Sequence, residues 1–279
     1  AEDLITDLFK TPQLHPKSWA TMKGYRGVDV SPAEIAAAQG ADYFLTCGVD
    51  ETGDEVRFRA ALVRTDDEDL VWTDDFRRDF SVAGMISLRS ETVQEIARAV
   101  GAEGSGAQIE MLEHLPTQSD SAYKLYLRGR DADQVGIQVM EPESMEPSLE
   151  LYDQAIALDS TFAIAYAAMA FSLVLHGQFA SLAPRDYYPD AKRLLLRALE
   201  LDTSLGSAST MLGVVLAQDD WEWPVAESFF LQGIELEPEN AFAHTYYAHG
   251  LSNAGRHDEA IGEMMKAVEL EPTSVFHRS

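Results

Sequence analysis

Ala155-Ile156-Ala157-Leu158-Asp159, Ala198-Leu199-Glu200-Leu201-Asp202, Gly233-Ile234-Glu235-Leu236-Glu237 and Ala267-Val268-Glu269-Leu270-Glu271 are four versions of one phrase. Their first residues stand 43, 35 and 34 positions apart. Upstream of each phrase lies an apolar helical pattern, then a turn, then a second pattern that ends in the phrase itself. The unit repeated is therefore a helix–turn–helix, and a period of this length means stacked units sharing a continuous core.

A 34-residue helical hairpin of this kind is the tetratricopeptide pattern. The best copy runs over 241–274: Tyr247, Ala248 and Leu251 pack in the first helix, Gly255 turns the chain, and Ala260, Met264 and Ala267 face inward on the second. Pro272 then forbids continuation. The small residues mark where helices cross closely, so larger side chains there would force them apart. The skeleton reappears as Met169-Ala170, Gly177, Ala191, Leu195 and Ala198, with about nine extra residues around Leu182–Pro189. A third copy runs through Leu212-Gly213, Ala226, Phe230 and Gly233, with one extra residue near Trp221–Pro224. An imperfect first copy runs from near Ala122 to Asp159. Three to four stacked hairpins are expected over 122–279.

The first hundred residues read differently. Leu4, Ile5, Leu8 and Phe9 share one face of an opening helix, and a short strand is expected near Leu14–Trp19. Ser31-Pro32-Ala33-Glu34 is a helix start, with Ser31 as N-cap and Glu34 three residues on, and Gly40 is a left-handed stop. Strands are expected at Tyr43–Val49, at Val56–Leu62 by alternation, and from Leu70. A helix follows, carrying Ile86, Val93, Ile96, Ala97 and Val100 on one face. The expected fold class is a small α/β domain, a mixed sheet with helices on one face, followed by an all-α superhelix. The expected boundaries are 1–105 for the α/β domain, 106–121 for a linker rich in Gly near its start, and 122–279 for the repeats. Neither end of the chain supplies a natural boundary, so both are expected to lie inside a longer protein.

Charge excludes one class of function. The 279 residues carry 21 Lys+Arg against 47 Asp+Glu, a formal net charge of −26, so this stretch should not grip a phosphate backbone. Residues 1–105 hold 20 acids and 11 bases and residues 106–279 hold 27 and 10. The repeats are thus the more acidic part, and a basic partner segment is expected. No apolar run is long enough to span a membrane.

Catalytic and metal chemistry find no constellation. His244 and His249 are five apart, the wrong spacing for a zinc-binding helix pair, and the seven histidines are read as surface or turn residues. Cys47 has no Cys-x-x-Cys partner and is expected to be a buried, reduced thiol. Asp66-Asp67-Glu68-Asp69 lacks the Gly and distal Glu of a calcium loop and reads as a solvated turn. Gly101–Gly106 follows a helix and lacks the phosphate-binding order. No cofactor, metal or catalytic residue is expected, and the chain is read as a non-enzyme. A repeat array offers a groove instead, lined by its first helices. Its candidate residues are Tyr126, Arg130, Thr210, Gln218, Thr245, His249 and Asn253. Trp221 and Trp223 either anchor a partner or fill the gap between hairpins.

The two halves together resemble the region of bacterial multidomain regulators that joins a TolB-like α/β domain to tetratricopeptide repeats. The resemblance rests on Ala1–Phe9, Ala41–Val49, Phe58–Val63, Leu70–Phe76, Ala122–Arg130 and Trp221-Glu222-Trp223. It implies a non-catalytic regulatory or protein-interaction region that relays binding of a peptide or partner protein to an output domain. The alternative implied is the ancillary half of a class III adenylate/guanylate cyclase, or of a CadC-type winged-helix transcriptional activator. The family's first strand is absent here, as are cyclase and winged-helix segments. The resemblance leaves open a homodimer, and a cytoplasmic or, behind an upstream membrane helix, a periplasmic location.

Overall fold

The computed structural model describes residues 2–9, 11, 13–17, 22, 25, 30–102, 112–139, 142–220 and 223–271. The chain forms two compact units, Ala1–Leu115 and Pro116–Ser279.

The first unit is a three-stranded antiparallel sheet with helices. Helices α1 (Glu2–Phe9) and α2 (Pro32–Ala38) precede strands β1 (Tyr43–Thr52), β2 (Glu55–Arg64) and β3 (Leu70–Asp79), and α3 (Val82–Ala99) follows. The order is β1-β2-β3. Tyr43 lies opposite Arg64 and Thr52 opposite Glu55, while β2 and β3 shift register at Leu62/Val63. Val56, Phe58, Ala60 and Leu62 alternate into the core, as period two requires, with Phe76 from β3, Leu88, Val93 and Ile96 from α3, and Leu4 and Leu8 from α1. The opposite face is wet: Arg57 pairs with Asp75 and Arg59 with Asp50 across the strands. The capping box forms at α2, where Ser31 Oγ accepts from the Glu34 N–H and Glu34 Oε2 accepts from the Ser31 N–H.

Two expectations need correction. Residues 14–17 are not in a strand, residues 18–19 lie outside the described residues, and the described sheet is wholly antiparallel rather than mixed. Cys47 is exposed: it lies on β1, at the edge of the described sheet, and the second half of that strand is mostly exposed.

The second unit is four helical hairpins: α4 (Asp120–Val139) with α5 (Glu146–Leu158), α6 (Ala163–Phe179) with α7 (Tyr188–Leu201), α8 (Gly206–Val215) with α9 (Trp223–Leu236), and α10 (Ala241–Asn253) with α11 (His257–Leu270). The small residue that opens each repeated phrase is buried in every copy, Ala155, Ala198, Gly233 and Ala267. The reason is close helix crossing: a Cβ on Gly233 would stand 2.2 Å from Thr210 Oγ1, and one on Gly213 would stand 3.0 Å from the Phe230 ring. The acid that closes the phrase also makes a capping contact in the third copy and a side-chain contact to another segment in the first. Glu237 Oε1 accepts from the Ser207 N–H at 3.0 Å, capping α8, and Asp159 accepts from Thr117 just ahead of α4.

The two insertions are absorbed locally. The longer one holds a single 3-10 turn, Pro184–Asp186, whose exit buries Tyr187 and Tyr188. The single extra residue falls beside a π-turn, Leu216–Asp220, that prolongs α8.

Candidate interaction surface

The inside of a curved stack is where helices one hairpin apart come nearest. The Phe171 ring on α6 and the Phe242 ring on α10 meet at 5.9 Å, edge to face, with α8 between their helices in sequence. Met211 and Val214 of α8 are buried in the core against which Phe171, Phe242 and Tyr246 pack, and Gln218 stands in the π-turn just beyond α8. From Phe242 the stripe of α10 continues through Tyr246, at 4.3 Å between centroids, to His249, at 6.2 Å from the Tyr246 ring, and ends at Asn253. Gln218 Oε1 accepts from Tyr188 Oη at 2.5 Å. Burial pushes the Tyr188 and Tyr246 hydroxyls above their ordinary range, so both remain neutral donors.

Of the sequence-derived candidates, Gln218, His249 and Asn253 are exposed on this surface. Three others are not available to a partner. Tyr126 is buried among Tyr123, Tyr152 and Phe162, with rings 6.2, 6.1 and 5.2 Å away. Thr210 is wholly buried, its hydroxyl at the α8–α9 crossing rather than on the concave side. Thr245 is buried and its hydroxyl donates to the Ala241 carbonyl at 2.7 Å. Arg130 is half-buried with its guanidinium 5.8 Å from the Tyr126 ring. Trp223 stacks on Tyr247 at 6.5 Å, leans on Phe230, and lies over Gly250, so it seals the third hairpin to the fourth. Trp221 lies outside the described residues.

The residues that reading the sequence missed are Phe171, Phe242 and Tyr246. A signal was there: Ala170, Gly213 and Ala248 occupy one position in successive hairpins, so Phe171, Val214 and His249 must also share a position, one residue on.

Charge is placed unlike the expectation. Helices α6, α8 and α10 contain no Asp, Glu, Lys or Arg at all. Helix α4, by contrast, carries Asp120, Asp131 and Asp133; in the other hairpins the acids lie on the second helices and the turns, for example Asp258, Glu259 and Glu269 on α11, and Glu239 ahead of α10. From the second hairpin onward the acidity of the repeats therefore lies off the first helices.

Chemistry outside this surface is sparse. No group of three or more His, Cys, Asp and Glu among the described residues could hold a metal ion, and no helix there is long and apolar enough to cross a membrane. The Cys47 thiol, although its residue is exposed, is pushed up to about 11 by desolvation, which leaves little thiolate at neutral pH. Two histidines depart from the surface reading, and His176 is half-buried with its Nδ1 enclosed. His244 is buried, with Nδ1 2.6 Å from Glu263 and Nε2 3.0 Å from the Pro238 carbonyl, and it ties α10 to α11.

No protein-family model matches the chain. It is similar to the transcriptional regulator HilA of Salmonella typhimurium, 26% identical over 149 residues. That match takes in 53% of this chain and 26% of the relative, so the chain spans about a quarter of the length of the curated relatives it matches. HilA of Salmonella typhi matches to the same extent. Among solved structures, a thermophilic TPR protein of Thermus thermophilus is 20% identical, with a TM-score of 0.46, covering 71% of this chain and 91% of that one. The second TPR domain of human RPAP3, in complex with the HSP70 peptide SGPTIEEVD, is 20% identical, with a TM-score of 0.36, covering 46% and 97%.

Proposed function

We propose that the chain is a non-catalytic interaction region of a bacterial regulator, in which the repeats bind a peptide or partner protein on their concave side. The single observation that carries this reading is the concave surface itself. Phe171, Phe242 and Tyr246 are only partly buried there, and the hydrogen-bonding side chains Gln218, His249 and Asn253 stand exposed beside them. Such a surface gives apolar area and backbone partners to a guest chain, and it contains no nucleophile–base pair. The small sheet unit supports the TolB-like reading, with relay to an output domain elsewhere in the protein. The similarity to a transcriptional regulator favours DNA control over cyclase activity as that output.

The test is peptide binding by the chain, with the variants Gln218→Arg and His249→Asp on the concave side. Leu231→Arg serves as the control, since Leu231 is 49% exposed on the second helix α9. Binding that the concave variants weaken and the α9 variant leaves unchanged is expected. Equal loss in all three would overturn the reading.

A further inference from the structure

Resting on the concave-groove reading, the geometry points to a particular class of guest: an extended, uncharged peptide segment carrying aromatic, proline or aliphatic side chains. Charge is the first argument. Three successive first helices, α6, α8 and α10, have no charge-bearing side chain other than His176, His244 and His249. His244 is engaged with Glu263 and Pro238. An acidic or basic guest would therefore lose hydration on entering and find no opposite charge on these three helices, Asp219 and Asp220 following in sequence only beyond α8. A neutral guest loses none.

Shape is the second argument. A helix with its side chains is about 10–12 Å across and cannot sink between α6 and α10 where the Phe171 and Phe242 rings already touch. An extended chain can lie along the ledge that Phe242, Tyr246 and His249 form. Hydrogen bonding agrees with this. A helical guest satisfies its own backbone, whereas an extended one needs partners, which the exposed side chains of Gln218, His249 and Asn253 supply. Gln218 is held for this role: its oxygen is fixed by Tyr188 Oη, which directs the amide N–H groups away from that hydroxyl.

The test uses the full chain and an array of peptides of about a dozen residues in neutral-aromatic, neutral-proline, acidic and basic classes. Neutral peptides are expected to bind, with a Kd that changes less than about twofold between low and roughly 0.5 M salt. His249→Ala, an exposed position that should not disturb folding, is expected to weaken them at least about fivefold, and Leu231→Ala to leave them unchanged. Preferential, salt-sensitive binding of acidic or basic peptides that still depends on His249 would overturn the neutral-guest inference and leave the groove standing. Binding by no class, or binding indifferent to His249, would overturn the groove as well.

Discussion

Asp133 sits 8% exposed in the first hairpin, and the hydrogen bonds around it can be counted in protons. Its carboxyl contacts Tyr152 Oη at 2.5 Å and Ser172 Oγ; Ser172 Oγ contacts Ser148 Oγ at 2.6 Å; Ser148 Oγ contacts the Met145 carbonyl at 2.8 Å. Those are four bonds, and the three hydroxyls supply three protons. With Tyr152 and Ser172 donating to the carboxylate and Ser148 donating to the Met145 carbonyl, the Ser148–Ser172 contact has no proton; protonation of Asp133, which lets the carboxyl donate to Ser172 in turn, supplies it. Burial independently pushes the Asp133 carboxyl above the ordinary carboxylate range, against the bonds its ionised form accepts and the charge of Arg130. Asp133→Asn copies the protonated group, with one donor and one acceptor, and should cost less than about 1 kcal/mol. Asp133→Ala strands two buried hydroxyls at about 1–3 kcal/mol each and should cost about 2–6 kcal/mol.

The sign with pH follows from the raised value. The folded chain binds this proton more tightly than the unfolded chain. Its stabilisation is therefore fully present below the unfolded pKa and is lost as pH rises through the folded one. Urea unfolding of wild type and Asp133→Asn at several pH values isolates this contribution, because all other titrations cancel in the difference. Asp133→Asn should gain on wild type as pH rises through that window. An Asn variant as damaging as the Ala variant, or a difference that does not change with pH, would refute the proton count.

Other consequences follow from packing and capping. Gly129→Ala sets a Cβ 2.6 Å from the wholly buried Tyr152 ring and should destabilise the repeats by about 1–3 kcal/mol in urea unfolding. Ser31→Ala removes the capping box of α2 and should cost the sheet unit about 1 kcal/mol, seen as faster amide exchange over 32–38. Glu263→Ala leaves buried His244 without its carboxylate and should lower stability by about 2 kcal/mol, with exchange rising first in α11. Cys47 should alkylate slowly at neutral pH despite its exposure, at a rate that climbs with pH toward about 11; fast alkylation at neutral pH would contradict the desolvated thiol.

The repeats were legible because their signal is redundant: four phrases, small residues at the crossings, and a fixed period all give one architecture. The alternation of Val56, Phe58, Ala60 and Leu62 likewise read directly as a strand. The start of β3 at Leu70 also read directly, but its end did not. Strand β3 runs on to Asp79, past the polar run Asp74-Asp75 and Arg77-Arg78, because its solvent face is satisfied across the sheet, as Asp75 is by Arg57. Groove membership was harder still. Thr210 and Thr245 look like wetted helix positions, yet they are buried, Thr210 on the stripe that meets its own second helix. Only a contact between Phe171 and Phe242, 71 residues apart in sequence, identifies the concave side, and no local pattern encodes a contact at that range. Summing charge over the repeats hid that α6, α8 and α10 carry none of it, while α4 does.

Amide exchange of the chain with and without a bound neutral peptide tests the central claim most directly, since it reports where the guest lies. Protection concentrated on the concave helices, over 206–218 and 242–253, with 223–236 and 257–270 unchanged, is the predicted result. Protection confined to the second helices would contradict an uncharged concave surface as the site of recognition.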